Sequence, residues 1–180
     1  MNDIAKTQNL MIREIVETDF EALFNLLRNK EVMRYSVRGP YSKEQTQDWM
    51  LFTLDRYKKY PLGLWAITEK NKDIPIGICG FIPLEEDETQ YEMSYRLLPD
   101  FQGKGFATEA ATALRDYAAG IGIHEFIAFV DPENKPSLRV AEKIGMKFLK
   151  TDTYKGIPVV LYTYAHPKIK DESMKTNLQE

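Results

Sequence analysis

Two glycines flank a lysine at Gly103-Lys104-Gly105, immediately before a stretch whose apolar residues recur at helical spacing. Glycine adopts positive φ and lets a ligand approach the backbone closely. The first turn of a helix carries unpaired backbone N–H groups and a partial positive charge, and both favour a phosphate. These properties predict a phosphate or pyrophosphate cradle, or alternatively a plain turn into a helix with Lys104 solvated. The amides expected to face the phosphate are those of Gly103, Lys104, Gly105, Phe106 and Ala107.

Neither of two named phosphate motifs is complete in this region. The P-loop requires a glycine five residues before Gly103 and a serine or threonine after Lys104, where the chain has Leu98 and Gly105. The dinucleotide pattern G-x-G-x-x-G begins at Gly103 but has Thr108 in place of its third glycine. A meander of strands, rather than a strand–helix–strand unit, is predicted ahead of this loop, which disfavours hydride-transfer chemistry.

A second helix start, Asn134-Lys135-Pro136-Ser137, follows the next predicted strand. Asparagine and serine are ordinary helix caps, so this segment alone indicates only a helix boundary. Because the apolar strand 125–130 lies between the two helices, both helix starts are expected to open onto one edge of the sheet.

The apolar pattern along the chain predicts a mixed α/β domain. Capping boxes at Thr18/Glu21 and Ser42/Gln45 predict the starts of the first two helices. Three strands with short polar connections form an antiparallel meander, and a right-handed crossover makes the strands before and after the long helix parallel. The expected helices are 20–29, 43–60, 105–120 and 136–144, and the expected strands are 10–16, 64–68, 76–83, 90–98, 125–130, 146–154 and 158–165.

The size and composition fit one domain spanning 1–180, with an ordered core over about 9–165 and tails at 1–8 and 167–180. There are 24 basic and 27 acidic residues, for a net charge of −3, so no basic surplus indicates a nucleic-acid partner. One cysteine and two histidines provide neither a disulfide nor a conventional zinc site, and no metal is predicted. Because the sequence also has no membrane-length apolar run and no signal-peptide core, we expect a cytoplasmic protein without a membrane partner.

The segment Gln102–Ala107 fits the Q/R-x-x-G-x-G/A acetyl-CoA signature of the GNAT N-acetyltransferases, and the chain resembles the RimJ/RimL-like branch of that family. The resemblance extends from Leu10 to Tyr164 with the same order of elements. It implies a GNAT-like fold, with a mostly antiparallel sheet of six to seven strands, one splayed parallel pair and about four helices. The supporting segments are Tyr91–Tyr95, Ala107–Ala110, Asn134-x-x-Ser137 and Glu142–Met146.

The resemblance also implies how acetyl-CoA would bind. The pantetheine arm would lie between the splayed strands, where Leu97 and Leu98 would offer backbone groups. Residues Gln102–Ala107 would hold the pyrophosphate, and Asn134 and Ser137 would reach the pantetheine side of the cofactor.

Acetyl transfer to an amine requires a base, because an alkylamine has a pKa of about 10.4 and is protonated at neutral pH. Glu92 lies on the polar face of its strand and matches a glutamate of this branch, so it is the candidate base, with Ser94 or water as a proton relay. Many members have a tyrosine as general acid where this chain has Ala141. Either another group protonates the leaving thiolate or it leaves unassisted; Tyr95 is a possible substitute, although strand alternation puts it on the face opposite Glu92.

Met33, Arg34 and Tyr35 fall where the family has its acceptor loop, although they could equally be a helix-capping cluster. The sequence therefore predicts an acetyl-CoA-dependent N-acetyltransferase, an acyltransferase that acts by direct attack in a ternary complex. The acceptor is a primary amine, from a protein N-terminus, a polyamine or an antibiotic. The alternative is an acyl-CoA-binding module without transferase activity, and the chain is expected to be a monomer or a homodimer.

Overall fold

The computed structural model describes residues 2–85 and 87–167 of the chain. The α-helices are α1 Phe20–Leu27, α2 Lys43–Arg56, α3 Phe106–Gly120 and α4 Lys135–Lys143, and 3₁₀ turns lie at Glu17–Asp19 and Pro99–Phe101. The strands are β1 Asp3–Lys6, β2 Leu10–Arg13, β3 Leu64–Glu69, β4 Pro75–Pro83, β5 Tyr91–Leu97, β6 Glu125–Val130, β7 Lys147–Tyr154 and β8 Ile157–Ala165.

All of these strands belong to one mixed sheet, in the order β1-β2-β3-β4-β5-β6-β8-β7. Neighbouring strands are antiparallel except β5 and β6, which are parallel and are joined by α3. The predicted mixed α/β fold, its meander and its single parallel pair are confirmed for the described residues. The sheet there has eight strands rather than six or seven.

The helices cover the two faces of the sheet in pairs. One core cluster packs α3 and α4 against one face, through small residues such as Ala110, Ala111 and Ala141. A second cluster packs α1 and α2 against the other face, around Ala66 and Ile78. Because side chains alternate along a strand, each strand of the central sheet presents different residues to the two helix layers. Within the described part of the chain, no helix is long and apolar enough to span a membrane.

The first strand corrects the prediction that residues 1–8 form a loose tail. Asp3–Lys6 pairs antiparallel with β2 and forms an edge of the sheet. The turn that follows is anchored to α3, because the carboxylate of Glu109 accepts bonds from the Thr7 hydroxyl at 2.6 Å and the Asn9 amide at 2.8 Å. The predicted tail at 167–180 lies outside the described residues except for Pro167, as does Glu86 in the acidic turn at 85–89.

The starts of the first two helices show one confirmed prediction and one that was wrong. At α2 the Ser42 hydroxyl accepts from the Gln45 amide at 3.1 Å, and the Gln45 side chain accepts from the Ser42 amide at 2.8 Å. The predicted Thr18/Glu21 box does not form. Instead a 3₁₀ turn precedes α1, and the Asp19 carboxylate accepts from the amide of Val16 at 2.9 Å.

Arg13 joins β2 to two neighbouring turns through a buried hydrogen-bond network. Its side chain is 2% exposed, and all five guanidinium N–H groups have acceptors. Nη1 and Nη2 donate to the Asp19 carboxylate at 2.8 and 2.9 Å, and Nε donates to the Asp73 carboxylate at 2.8 Å. The remaining two bonds go to the carbonyls of Glu14 and Asp73. This network fixes the entry to α1 and the turn between β3 and β4.

Arg13→Lys should lower the free energy of unfolding by about 3 kcal/mol or more, because a lysine cannot make the bidentate bond and leaves the buried charge of Asp19 without its guanidinium partner. Denaturant unfolding measures this change. The control is Lys59→Gln, which breaks the exposed pair with Asp55 and should leave the midpoint unchanged. Equal stability of Arg13→Lys and the wild type would contradict a stabilising role for the network.

Candidate active site

The parallel strands β5 and β6 separate after their first residues. Their one registered Cα pair in the described chain is Glu92 with Ile127, at the beginning of β5. The amide of Leu98 donates to the carbonyl of Ile76 at 2.9 Å, so the even-numbered residues of β5 bond to β4. The backbone groups of the odd-numbered residues therefore point towards β6, and beyond the pair at Glu92 those of Tyr95 and Leu97 face an open gap.

The two leucines expected to bind pantetheine differ in what their backbone can offer. The Leu98 amide is bonded to β4, and its carbonyl accepts from the Phe101 amide at 2.9 Å, so its backbone is already used inside the protein. Its carbonyl can still accept a second bond, so the expected contact of Leu98 with pantetheine stays a prediction. The carbonyl of Leu97 accepts from Nε2 of Gln102 at 2.9 Å, while its amide faces the gap. Gln102 thus ties the glycine loop to the end of β5, and Leu97 stays a candidate contact.

The glycine loop holds a row of available amides at the start of α3. Gly103 and Gly105 have φ of 73° and 84°, in the left-handed region that favours glycine. A Cβ built on either glycine would have no heavy atom within 4 Å, so the backbone borders open space. Among the described residues none accepts a bond from the amides of residues 103–108, and the first bond into the helix runs from Glu109 to Gly105 at 2.9 Å. This arrangement suits a phosphate group.

The start of α4 is tied to β5 beneath the gap. The Asn134 side chain caps the helix by accepting from the Ser137 amide at 3.2 Å. The Tyr95 hydroxyl lies 2.8 Å from the Ser137 hydroxyl and 3.0 Å from the Ser137 carbonyl oxygen. The expected Asn134 and Ser137 therefore lie on the α3/α4 side of the sheet, and both already make internal bonds.

Tyr95 places a hydroxyl near the helix on which the resemblance implied a tyrosine. Ala141 is 1% exposed and packs in the core, so a larger side chain there would overpack it. Burial raises the pKa of Tyr95 to about 12, although its bond to Ser137 acts in the opposite direction. The phenol therefore stays protonated at neutral pH and can act as a donor, on the face opposite Glu92.

Glu92 presents a carboxyl group to the α1/α2 side of β5. It is partly buried, and no donor in the described chain lies within hydrogen-bond distance of its oxygens. Burial raises the pKa of Glu92 to about 7, while the charges of Arg96 and Lys155 oppose that rise. A carboxylate with a pKa near the working pH can accept a proton from an amine. Ser94 follows on the same face, with its Oγ 3.5 Å from Nη1 of Arg96.

A cavity of about 610 Å³ opens on this same face, between α2 and β4. Ile82 lines it and is the Cα partner of Glu92, which puts the cavity beside the candidate base. Its wall combines aromatic side chains with charges of both signs. The aromatic residues are Tyr41, Trp49, Phe52 and Phe81, and the charged residues are Arg38, Asp48, Arg56 and Glu85.

The three predicted acceptor-loop residues separate in the structure. Met33 is 2% exposed and belongs to the core between α1, α2 and the sheet, so its expected contact with substrate is wrong. Arg34 is exposed and its guanidinium lies 5.4 Å from the centre of the Tyr35 ring. The Tyr35 hydroxyl donates to the carbonyl of Glu133 at 3.4 Å, which joins the α1–α2 segment to the start of α4.

Sequence reasoning missed Arg96 and Tyr41. Alternation along β5 put Arg96 on the polar face with Glu92, and this was the available signal. Tyr41 precedes the α2 cap and has no distinguishing pattern, so only the folded chain shows that it lines the cavity.

Comparison with known proteins shows relatives over most of the chain. Residues 9–147 match the family model for the acetyltransferase (GNAT) domain. The uncharacterized protein YkkB of Bacillus subtilis (strain 168) is 36% identical over 161 residues, which cover 87% of this chain and 92% of that protein. The uncharacterized N-acetyltransferase YnaD of the same organism is 33% identical over 143 residues, covering 78% and 81%.

The fold is also similar to that of a solved ribosomal-protein acetyltransferase. RimL, the ribosomal L7/L12 α-N-protein acetyltransferase solved in complex with coenzyme A, superposes with a TM-score of 0.79 at 21% identity. The match covers 92% of this chain and 98% of that one. The splayed strands and the free helix amides agree with these matches. Because the family model matches residues 9–147 and because of the identity to YkkB and YnaD, this chain belongs to the GNAT acetyltransferase family.

Proposed function

We propose that this chain moves an acetyl group from acetyl-CoA to a primary amine in a ternary complex. Membership of the GNAT family implies acetyl-CoA-dependent N-acetylation. The observation that carries the proposal is the row of amides at residues 103–108, which have no acceptor in the described chain and lie next to the splayed strands. These amides would hold the pyrophosphate, while the amides of Tyr95 and Leu97 would face the pantetheine arm.

The two faces of β5 divide the chemistry. The acetyl thioester is supplied by acetyl-CoA when it is bound. On the α1/α2 face, Glu92 takes a proton from the attacking amine, directly or through Ser94 or a water. An unpaired amide of β5 is suitably placed to stabilise charge on the carbonyl oxygen. On the other face, Tyr95 holds a proton beside Ser137 that it can donate to the sulfur.

We place the chain in the RimJ/RimL-like branch, whose acceptors are N-terminal amines of proteins. The motifs around Gln102 and the similarity of the fold to RimL support this placement. A small amine is the other class of acceptor that fits the cavity beside Ile82.

Acetyl transfer should be detected as free thiol released when the chain is given acetyl-CoA and a panel of primary amines. The rate should rise with pH through about 7, because Glu92 must be ionised to accept the proton. Glu92→Gln should lower kcat by about a hundredfold or more, whereas the exposed control Glu125→Gln should leave it unchanged. Tight uptake of coenzyme A with no thiol released by any amine would instead identify a binding module.

Gly105→Asp should abolish binding of coenzyme A, because it adds a side chain and a negative charge to the amide cradle. Its control is Gly156→Asp, since Gly156 has φ of 82°, borders equally open space and lies in the β7–β8 turn. Both variants carry the same backbone strain, so only loss of affinity specific to Gly105→Asp supports the cradle. Isothermal calorimetry with coenzyme A measures the difference, and undiminished affinity would refute the proposal.

Glu92→Gln should also stabilise the fold, in a manner that depends on pH. Because burial raises the pKa of Glu92 to about 7, the folded chain holds this proton more tightly than the unfolded chain does. Stability therefore falls as the pH rises from the ordinary glutamate pKa to about 7. At pH 8 the variant should gain about 1–3 kcal/mol over the wild type, and at pH 4 nothing. Denaturant unfolding at both pH values measures this, and no gain at pH 8 would contradict burial of the charge.

A further inference from the structure

Arg96 is a partly buried arginine whose donors are almost unused. It lies on the α1/α2 face of β5, and its one hydrogen-bond contact within the described chain is the long approach of Nη1 to Ser94 Oγ at 3.5 Å. No carboxylate among the described residues lies within ion-pair distance of it. Arg13, by contrast, has an acceptor for every guanidinium N–H. Arg96 is therefore not held by a comparable structural network.

A buried charge normally has an ion-pair partner or a full set of hydrogen bonds, and the described chain gives Arg96 neither. Burial lowers the pKa of Arg96 below its ordinary value, and the neighbouring Tyr41 and Glu92 act against that change. Guanidinium groups pair most strongly with carboxylates and phosphates, through two parallel hydrogen bonds. Tyr41 lines the cavity and neighbours Arg96, so an anionic group that reaches past Tyr41 would satisfy the unused donors of Arg96.

The spacing along β5 relates this cation to the candidate base. Residues 92, 94 and 96 share one face and repeat at about 6.7 Å. Because the Arg96 side chain leans back to Ser94, its guanidinium lies about one such repeat from the position of Glu92. Because each hydrogen bond adds a reach of about 2.9 Å, a molecule that bonds Glu92 through an amine and Arg96 through an anion needs no more than a few covalent bonds between those two groups.

We propose that Arg96 is an anion subsite, and that the acceptor is an amine carrying a carboxylate within a few bonds of its nitrogen. This inference rests on the proposed transferase function and narrows its substrate class. A free amino acid and a peptide N-terminus followed by an acidic residue both have this chemistry. The pyrophosphate cradle is not the partner of Arg96, because the cradle serves the α3/α4 face and Arg96 lies on the other.

The other charges around the cavity disfavour a polycationic acceptor. Arg38 and Arg56 balance Asp48 and Glu85 in its wall, and Glu85 is already paired with Lys155 at 2.7 Å, so the wall adds no net negative charge to attract a polycation. A polyamine or an aminoglycoside with one amine at Glu92 would bring its further cations towards Arg96 and these arginines. Like charges at such distances reduce affinity, so these amines should be poor acceptors.

The test compares matched amines in the thiol-release assay. The panel contains free amino acids and their carboxamides, dipeptides with aspartate or asparagine in the second position, spermidine and an aminoglycoside. The carboxylate member of at least one pair should exceed its amide about tenfold or more in kcat/KM. Arg96→Gln should lose that preference, with an unchanged Kd for coenzyme A, whereas exposed Arg28→Gln should keep it. Preference among the free amino acids or among the dipeptides identifies the source of the carboxylate.

Several results would overturn the inference while leaving the transferase function intact. These are equal rates for acids and amides, a best rate with spermidine or the aminoglycoside, or an Arg96→Gln variant that weakens coenzyme A binding instead of changing acceptor preference. Where no amine reacts, the anion subsite is tested by the thermal shift that each member of the panel produces in the coenzyme A-loaded chain. Stabilisation by a carboxylate member that is absent in Arg96→Gln supports the subsite, and no stabilisation overturns it. Uptake of coenzyme A together with thiol release by any amine tests the proposed function separately.

Discussion

The separation of β5 from β6 is the constraint on which the rest of the site depends. Central strands of a sheet normally satisfy each other's backbone groups, yet this parallel pair has a single registered contact in the described chain, at Glu92. The backbone of Tyr95 and Leu97 therefore faces a gap that an extended polar ligand can fill like an added strand. Bonds from outside the pair fix the position of β5, since β4 pairs along its length and the Tyr95 hydroxyl contacts Ser137 on α4.

Because side chains alternate along β5, the two faces of this strand carry different functional groups at the gap, within a single domain. Odd-numbered side chains of β5 point to α3 and α4, where a protonated phenol and the free amides of the glycine loop lie. Even-numbered side chains point to α1 and α2, where Glu92, Ser94 and Arg96 form one row, and Ile82, the strand partner of Glu92, lines the cavity. A thioester reaching through the gap would thus meet its amine from the opposite side of the sheet.

Local sequence signals predicted much of this architecture, and register explains most of what they missed. The Ser42/Gln45 box, the glycine loop and the crossover each depend on neighbouring residues, and each is found in the structure. The edge strand Asp3–Lys6 is too short to show alternation, and it is held by Glu109, about a hundred residues away, which no local pattern reveals. Whether the backbone of Leu97 or of Leu98 faces the gap depends on which of the two amides bonds to β4. Only the observed pairing of β5 with β4 decides this.

The two arginines on strands of the described sheet, Arg13 and Arg96, show how a structure separates a cation with a complete internal network from one with unused donors. Both lie on strands of the same sheet, and the sequence around either gives no reason to distinguish them. In Arg13 every donor is bonded, so any added ligand would first have to break the network with Asp19 and Asp73. For Arg96 the described chain supplies a single long contact, so a ligand can bond its guanidinium without displacing an internal carboxylate. A buried cation attracts a ligand strongly only when some of its donors are not already bonded inside the protein. In this sheet that cation is Arg96, which lies on the same face of β5 as the candidate base Glu92.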